Sequence, residues 1–150
     1  MTVYRLGYNP TGPWGWSFKG QLKEAHEALN AFAKGRLHRT RWSCGANVAI
    51  GDELFLIRLG DSQPRGLVGH GRFTSPSERT GVRRFGADVE FDALVLFGPP
   101  IIPMADLEDI PHRQDWSNQF TSTTIKEEVI EPLRNLWIKA TTDLARLKAA

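Results

Sequence analysis

Arg65-Gly66-Leu67-Val68-Gly69-His70-Gly71-Arg72-Phe73-Thr74-Ser75 decides the fold. The run reads as a β-strand, yet glycines interrupt it at 66, 69 and 71. Glycine inside a strand marks a bulge, a sharp bend or a close backbone approach. Small barrels need such corners, so this strand belongs to a strongly curved sheet. Upstream, Gly51-Asp52 reads as a turn, and Leu54-Phe55-Leu56-Ile57 is an unbroken apolar run suited to a strand buried on both faces. Gly60-Asp61-Ser62-Gln63-Pro64 is then the hairpin loop joining the two strands. Downstream, the polar, arginine-rich residues 76–86 read as a loop. Ala87 to Phe97 reads as a long strand, closed by Gly98-Pro99-Pro100. Residues 101–122 contain Pro103 and Pro111 without a clear period and read as irregular structure passing Trp116.

The two ends complete the pattern. Tyr4, Leu6 and Tyr8 alternate with Val3, Arg5 and Gly7 in a first strand, which stops at Asn9-Pro10-Thr11-Gly12-Pro13. From Lys19 to Lys34, Leu22, Ala25, Leu29, Phe32 and Ala33 recur at spacings of three and four, predicting an amphipathic helix ended by Gly35. At the other end Thr124 and Glu127 fit a capping box, and Val129, Leu133, Leu136, Trp137, Leu144 and Leu147 follow at roughly helical spacing. Pro132 kinks that helix or begins its main segment. The order β, α, several β, α predicts an α+β fold: one domain over residues 1–150, with a small curved sheet or barrel flanked by helices.

With 150 residues the chain is long enough to bury a core, and its 41% hydrophobic and 24% charged residues exclude collagen-like, coiled-coil and disordered classes. No window reaches the roughly 18 consecutive apolar residues of a membrane span, and the first residues lack a signal-peptide layout, so a cytoplasmic protein is expected. The single Cys44 makes neither an intrachain disulfide nor a cysteine-based zinc site. Net charge is only +2, so distribution matters more than sum. Lys34, Arg36, Arg39 and Arg41 surround His38 within one short run, and Arg79, Arg83 and Arg84 form a second cluster. These are the candidate phosphate contacts, with solvated basic loops as the alternative.

Enzyme signatures are absent: there is no Gly-x-Ser-x-Gly elbow, His-Glu-x-x-His or Gly-x-x-x-x-Gly-Lys loop. His26, His38, His70 and His112 are scattered without ligand-like spacing, so neither a metal nor a cofactor is expected. His26 is placed on the solvent face of the first helix. Asp88, Glu90 and Asp92 fall on one face of a strand. That face either holds a divalent cation for nuclease chemistry or turns its acids to water while Val89, Phe91 and Ala93 face the core, and the second reading is favoured. Cys44 has only Arg41 as a local activator and reads as a small buried residue beside Trp42.

Trp14 and Trp16 sit in a Gly/Pro-rich loop, and Trp42 follows the basic run. Aromatic faces beside cations suit a planar base, with stacking worth about 1–3 kcal/mol per base. The other reading is that these rings fill the ends of a small barrel.

Several segments, in order, resemble the EVE domain. They are Asn9-Pro10, Trp14-Gly15-Trp16, Arg41-Trp42-Ser43-Cys44-Gly45, Gly51-Asp52, Phe55-Leu56-Ile57-Arg58, Pro64-Arg65-Gly66, Thr74-Ser75 and Asp88-Val89-Glu90-Phe91-Asp92, followed by Trp116, Gln119 and Leu136-Trp137. The resemblance covers almost the whole chain and is nearest to EVE domains joined to HNH nucleases, although no HNH signature is present. It implies a PUA-like β-barrel flanked by helices, in one superfamily with YTH and SRA-type readers of modified bases. It further implies a binding domain, not an enzyme. Such a domain would sense C5-modified cytosine (methyl, hydroxymethyl or glucosylated) in double-stranded DNA, as the sensor of a modification-dependent restriction system with a nuclease domain or partner.

By that resemblance Trp42, Ser43 and Cys44 line the pocket for a flipped base, and Trp14 or Trp16 supplies a second wall of an aromatic cage. Asn9 and Asp88 match polar positions near the cavity, and Asn118 or Gln119 follows Trp116 in a segment like the family's Trp-x-x-Gln. The chain departs from the family after Asn9-Pro10, where Thr11 and Gly12 stand in place of the usual acidic residue. The alternatives are a reader of modified RNA, a metal-dependent nuclease using Asp88, Glu90 and Asp92, and a protein-interaction module.

Overall fold

The structure is a computed structural model that describes residues 1–10, 18–82, 84–118 and 122–149. Strand β1 (Val3–Tyr8) is followed by helix α1 (Phe18–Ala33), then β2 (His38–Cys44), β3 (Glu53–Arg58), β4 (Gly66–Phe73), β5 (Glu78–Gly81) and β6 (Arg84–Leu94). After these come β7 (Ile102–Pro103), α2 (Met104–Glu108), β8 (Ser122–Thr124) and α3 (Glu127–Ala149). The main sheet runs in the order β2-β6-β4-β3-β1-β8, with β5 on β6 and β7 on β4. Its β1–β3 pair is parallel, from Val3 opposite Glu53 to Tyr8 opposite Arg58. The sheet curls into a half-barrel, the α+β, PUA-like architecture. The curl brings its two edges together where the Gly45 N–H, just past β2, donates to Ser122 Oγ of β8 at 2.9 Å.

The glycines of β4 show how the curl is made. A Cβ on Gly71 would lie 1.9 Å from the Glu90 carbonyl oxygen, and one on Gly66 2.2 Å from that of Ile102. The β4–β6 register shifts between His70 and Gly71, so the strand bends where backbone meets backbone.

Alternation divides the apolar residues between two clusters. Tyr4, Leu6 and Tyr8 of β1, Leu54 and Leu56 of β3, and Val89 and Phe91 of β6 join Trp42 and Cys44 in one. Val3, Phe55, Ile57 and Leu67 turn the other way and pack with Trp116, Val129, Leu133 and Trp137 in the second. Residues one apart on β1 and β3 thus serve opposite faces, as a period of two requires.

Four expectations are corrected. Residues 76–86 are not a loop: β5 and the start of β6 form a hairpin with Glu78 opposite Gly86, and the all-exposed β5 has no apolar face to reveal it. Residues 101–122 hold the short β7 and α2, below the length at which periodicity registers. Thr124 lies in β8 opposite Tyr4, and α3 begins beyond it with the Val129 N–H on the Lys126 carbonyl, so the capping-box assignment does not hold. On α1, Leu29 is 67% exposed, and the packed face runs through Ala25, Ala28 and Phe32. The stop at Gly35 does hold. At φ 67° it lets the Gly35 N–H reach the Phe32 carbonyl and the Arg36 N–H reach that of Ala31, a Schellman cap. Among the described residues no helix is long and apolar enough to cross a membrane.

Candidate nucleic-acid interface

Strand β2 presents its two sets of side chains to different surroundings. His38, Trp42 and Cys44 turn into the curl, whereas Arg39, Arg41 and Ser43 are exposed on its outside. Trp42 is 6% exposed, stands opposite Ala87 of β6 and meets the Tyr8 ring edge to face at 6.3 Å. Burial pushes the Tyr8 hydroxyl up to about 12 against the opposing Arg58, and it raises the Cys44 thiol against Arg41. Cys44 is therefore a protonated packing residue at neutral pH. Asn9 leaves β1 directly after Tyr8, and its side chain lies on Gly60, where a Cβ would come 2.3 Å from Asn9 Oδ1. Tyr8 thus ties Asn9 and Trp42 to one end of the barrel.

The outside of the β2–β6 ribbon is a charge ladder. Arg41 pairs with Asp88 at 3.1 Å and with Glu78 at 3.4 Å, and Arg39 pairs with Glu90 at 2.8 Å. The acids of β6 face outward while Val89 and Phe91 are buried, as alternation predicts. Asp88 lies on the other side of the ribbon from the Trp42 ring. Trp42, Cys44 and Tyr8 share the inner cluster and Asn9 follows Tyr8 along the chain with its side chain on Gly60, whereas Ser43, Asp88 and the arginines lie on the outer face of the ribbon.

Trp116 and Asn118 serve the second cluster. Trp116 is 4% exposed among the residues under α3. Asn118 Oδ1 accepts from Arg5 Nη2 at 2.7 Å, and Asp115 Oδ1 accepts the N–H groups of Ser117 and Asn118 at 3.2 and 3.1 Å. Burial lowers the buried Arg5 guanidinium to about 10, with Asp115 opposing. Trp14, Trp16, Arg83 and Gln119 lie outside the described residues.

Of the phosphate candidates, Lys34, Arg36 and Arg39 line one groove of about 610 Å³ with Glu27, Asn30, Ala31 and Leu37. Arg79 lies over the Phe85 ring at 5.7 Å, and Arg84 is exposed at the start of β6.

The sequence reading missed a buried charge node. Glu53 opens β3 and is 7% exposed. Its Oε2 meets His70 Nε2 at 2.7 Å, and its Oε1 accepts from Arg134 Nε of α3 at 3.0 Å. His70 Nδ1 lies 2.8 Å from Asp92 Oδ1, and the His70 ring packs between Phe55 at 4.8 Å and Trp137 at 5.7 Å. Burial alone would lower the His70 pKa, but hydrogen bonds to Asp92 and Glu53 outweigh it and raise it to about 9. Burial alone would raise that of Glu53, and hydrogen bonds from His70 and Arg134 bring it down to about 2. The imidazolium therefore donates to both carboxylates within the sheet, and Arg134 ties α3 to the same glutamate. A glutamate entering an otherwise apolar strand was the one available signal.

No family model matches the chain, and no curated protein matches it. Two solved structures are similar. Human THYN1 in complex with 5-methylcytosine-containing DNA matches at TM-score 0.60 and 10% identity, over 91% of this chain and 98% of the chain in that structure. The NMR structure of Rpa0253 from Rhodopseudomonas palustris matches at TM-score 0.54 and 11% identity, over 91% of this chain and 92% of that one. At this identity the likeness is one of fold, and it establishes the PUA-like architecture.

Proposed function

We propose that residues 1–150 form a reader domain for DNA carrying C5-modified cytosine, acting as the sensor of a modification-dependent restriction system that a nuclease domain or partner completes. The observation that carries this reading is the likeness in fold, over 91% of this chain, to a protein solved with 5-methylcytosine DNA. The Tyr8–Trp42 aromatic pair at one end of the half-barrel supports it.

In this reading a base leaves the duplex at a cost of about a few kcal/mol. Stacking on Trp42, with Trp14 or Trp16 as the second wall, returns about 1–3 kcal/mol. Asn9 and the Ser43 backbone read the cytosine edge, because a buried polar group left unpaired costs about 1–3 kcal/mol. One buried methyl contributes only about 0.8 kcal/mol, roughly a fourfold preference, so stronger selection requires polar contacts to a larger substituent. Lys34 and Arg36 in the groove, with Arg79 and Arg84, hold phosphates and make affinity fall with salt. Arg39 and Arg41 contribute less, since Glu90 and Asp88 already offset their charge. The same pairing disfavours the nuclease alternative, whose acids here face cations.

The test is tryptophan-fluorescence titration with matched duplexes bearing plain, methyl-, hydroxymethyl- or glucosylated cytosine, beside a methyladenine RNA, at two salt concentrations. Selective quenching by one C5-modified duplex is expected. Equal weak binding to every ligand, or preference for the RNA, contradicts the reading.

A further inference from the structure

We propose that Glu24, Glu27 and His38 form a site for a divalent cation of the zinc class, joining α1 to β2. Glu24 and Glu27 stand three residues apart on α1 and project from one face of the helix, and His38 opens β2. His38 Nε2 and one carboxylate oxygen of each glutamate all lie within 4.8 Å of one another. Ligand atoms about 2.0–2.2 Å from a tetrahedral zinc sit roughly 3.3–3.6 Å apart, so the hydrogen-bonded pair of His38 and Glu24 has to open to admit the ion and Glu27 has to draw in. Glu27, with its side chain 50% exposed, can make that movement.

An acidic patch would not suffice, but the fixed member of this set is an imidazole. His38 is 4% exposed, its ring is stacked against Phe91 at 6.5 Å, and its Nε2 is directed at Glu24 Oε2. The second oxygen of Glu24 accepts from Thr40 Oγ1 at 3.1 Å, the outer contact that orients a metal-binding carboxylate. Lys23 meets Glu27 at 3.9 Å in an exposed pair of little strength. An imidazole nitrogen with two carboxylates favours zinc-class ions over Mg²⁺ or Ca²⁺, and three protein donors leave a fourth position for water.

Among the described side chains, the apolar residues that α1 turns to the sheet are Ala25, Ala28 and Phe32. An ion held by two of its side chains and by His38 would fix the helix, and with it the groove whose wall includes Glu27, Lys34 and Arg36. The imidazole comes from a different element than the two glutamates, and the histidines show no ligand-like spacing among themselves, which is why no metal was expected there.

Calorimetric titration of the metal-stripped whole chain with zinc chloride, and separately with magnesium chloride, tests the proposal. Expected are one zinc per chain, no comparable magnesium uptake and a zinc-dependent rise in Tm. Glu27→Gln should weaken zinc binding roughly tenfold or more while leaving the metal-free Tm unchanged. His38→Gln should abolish binding, and His26→Ala, exposed on the same helix, should change nothing. If His38→Gln does not fold, Glu27→Gln decides alone. Absence of stoichiometric zinc uptake, magnesium binding of equal strength, or zinc affinity within twofold of wild type in Glu27→Gln overturns the site.

Discussion

Asp88 and Glu53 are carboxylates of one sheet, paired with arginines at similar distances, and they do different work. Asp88 is 57% exposed on the outer ribbon, where water solvates both it and Arg41. Glu53 is 7% exposed beneath α3 and holds Arg134 and a protonated His70. An exposed pair contributes about 0–1 kcal/mol, whereas removing one partner of a buried pair strands the others at about 3–5 kcal/mol. The contrast teaches that visibility and weight are separate properties. The acids of β6 alternate with apolar residues and can be read from the sequence, yet stability rests on the node that has no pattern.

Glu53→Ala gives the largest expected loss, about 3 kcal/mol in urea unfolding, at the low end because Arg134 is partly exposed and His70 can shed its proton. A loss no greater than that of Asp88→Ala would erase the distinction. Next in size is a pH effect. His70 is raised from 6.5 to about 9, so its contribution is complete below pH 6.5 and is lost as pH climbs through about 9. Glu53 is lowered from 4.5 to about 2, so its share is complete above pH 4.5 and is lost as pH falls toward about 2. The urea midpoint should therefore be flat between pH 4.5 and 6.5 and decline on both sides. His70→Gln should remove the alkaline decline, and its persistence would place the titrating group elsewhere. The smallest effect is that of Asp88→Ala or Arg41→Ala, within about 0.5 kcal/mol of wild type.

The same physics sets how much could be read beforehand. Strands β1 and β6 and helices α1 and α3 announce themselves by alternation or helical spacing, and β3 by its unbroken apolar run. The glycines of β4 announce the bend because a Cβ at Gly71 would strike Glu90. Strand β5 has no buried face, and β7 and α2, of two and five residues, are too short to repeat a period. Within the candidate site, Trp42 and Cys44 lie inside the curl as members of its core cluster, a position that the pocket reading and the barrel-filling reading share. Asp88 turns outward and Trp116 and Asn118 cross to the face under α3, because which side a residue takes depends on register, and register is not written in composition. The Glu53–His70–Arg134 node joins three elements across 81 residues, beyond the reach of any local motif.

In the proposed reading the aromatic interior of the half-barrel, not its charged exterior, selects the ligand. The direct measurement is the ratio of affinities for a 5-methylcytosine duplex and its unmodified match, in wild type, in Trp42→Leu checked for folding, and in a Lys34→Ala/Arg36→Ala double variant. The account predicts a wild-type ratio of about four or more. It predicts that the ratio falls to one in Trp42→Leu, and that the double variant binds both duplexes more weakly at an unchanged ratio. A wild-type ratio of one, or a ratio that survives in folded Trp42→Leu, would contradict it.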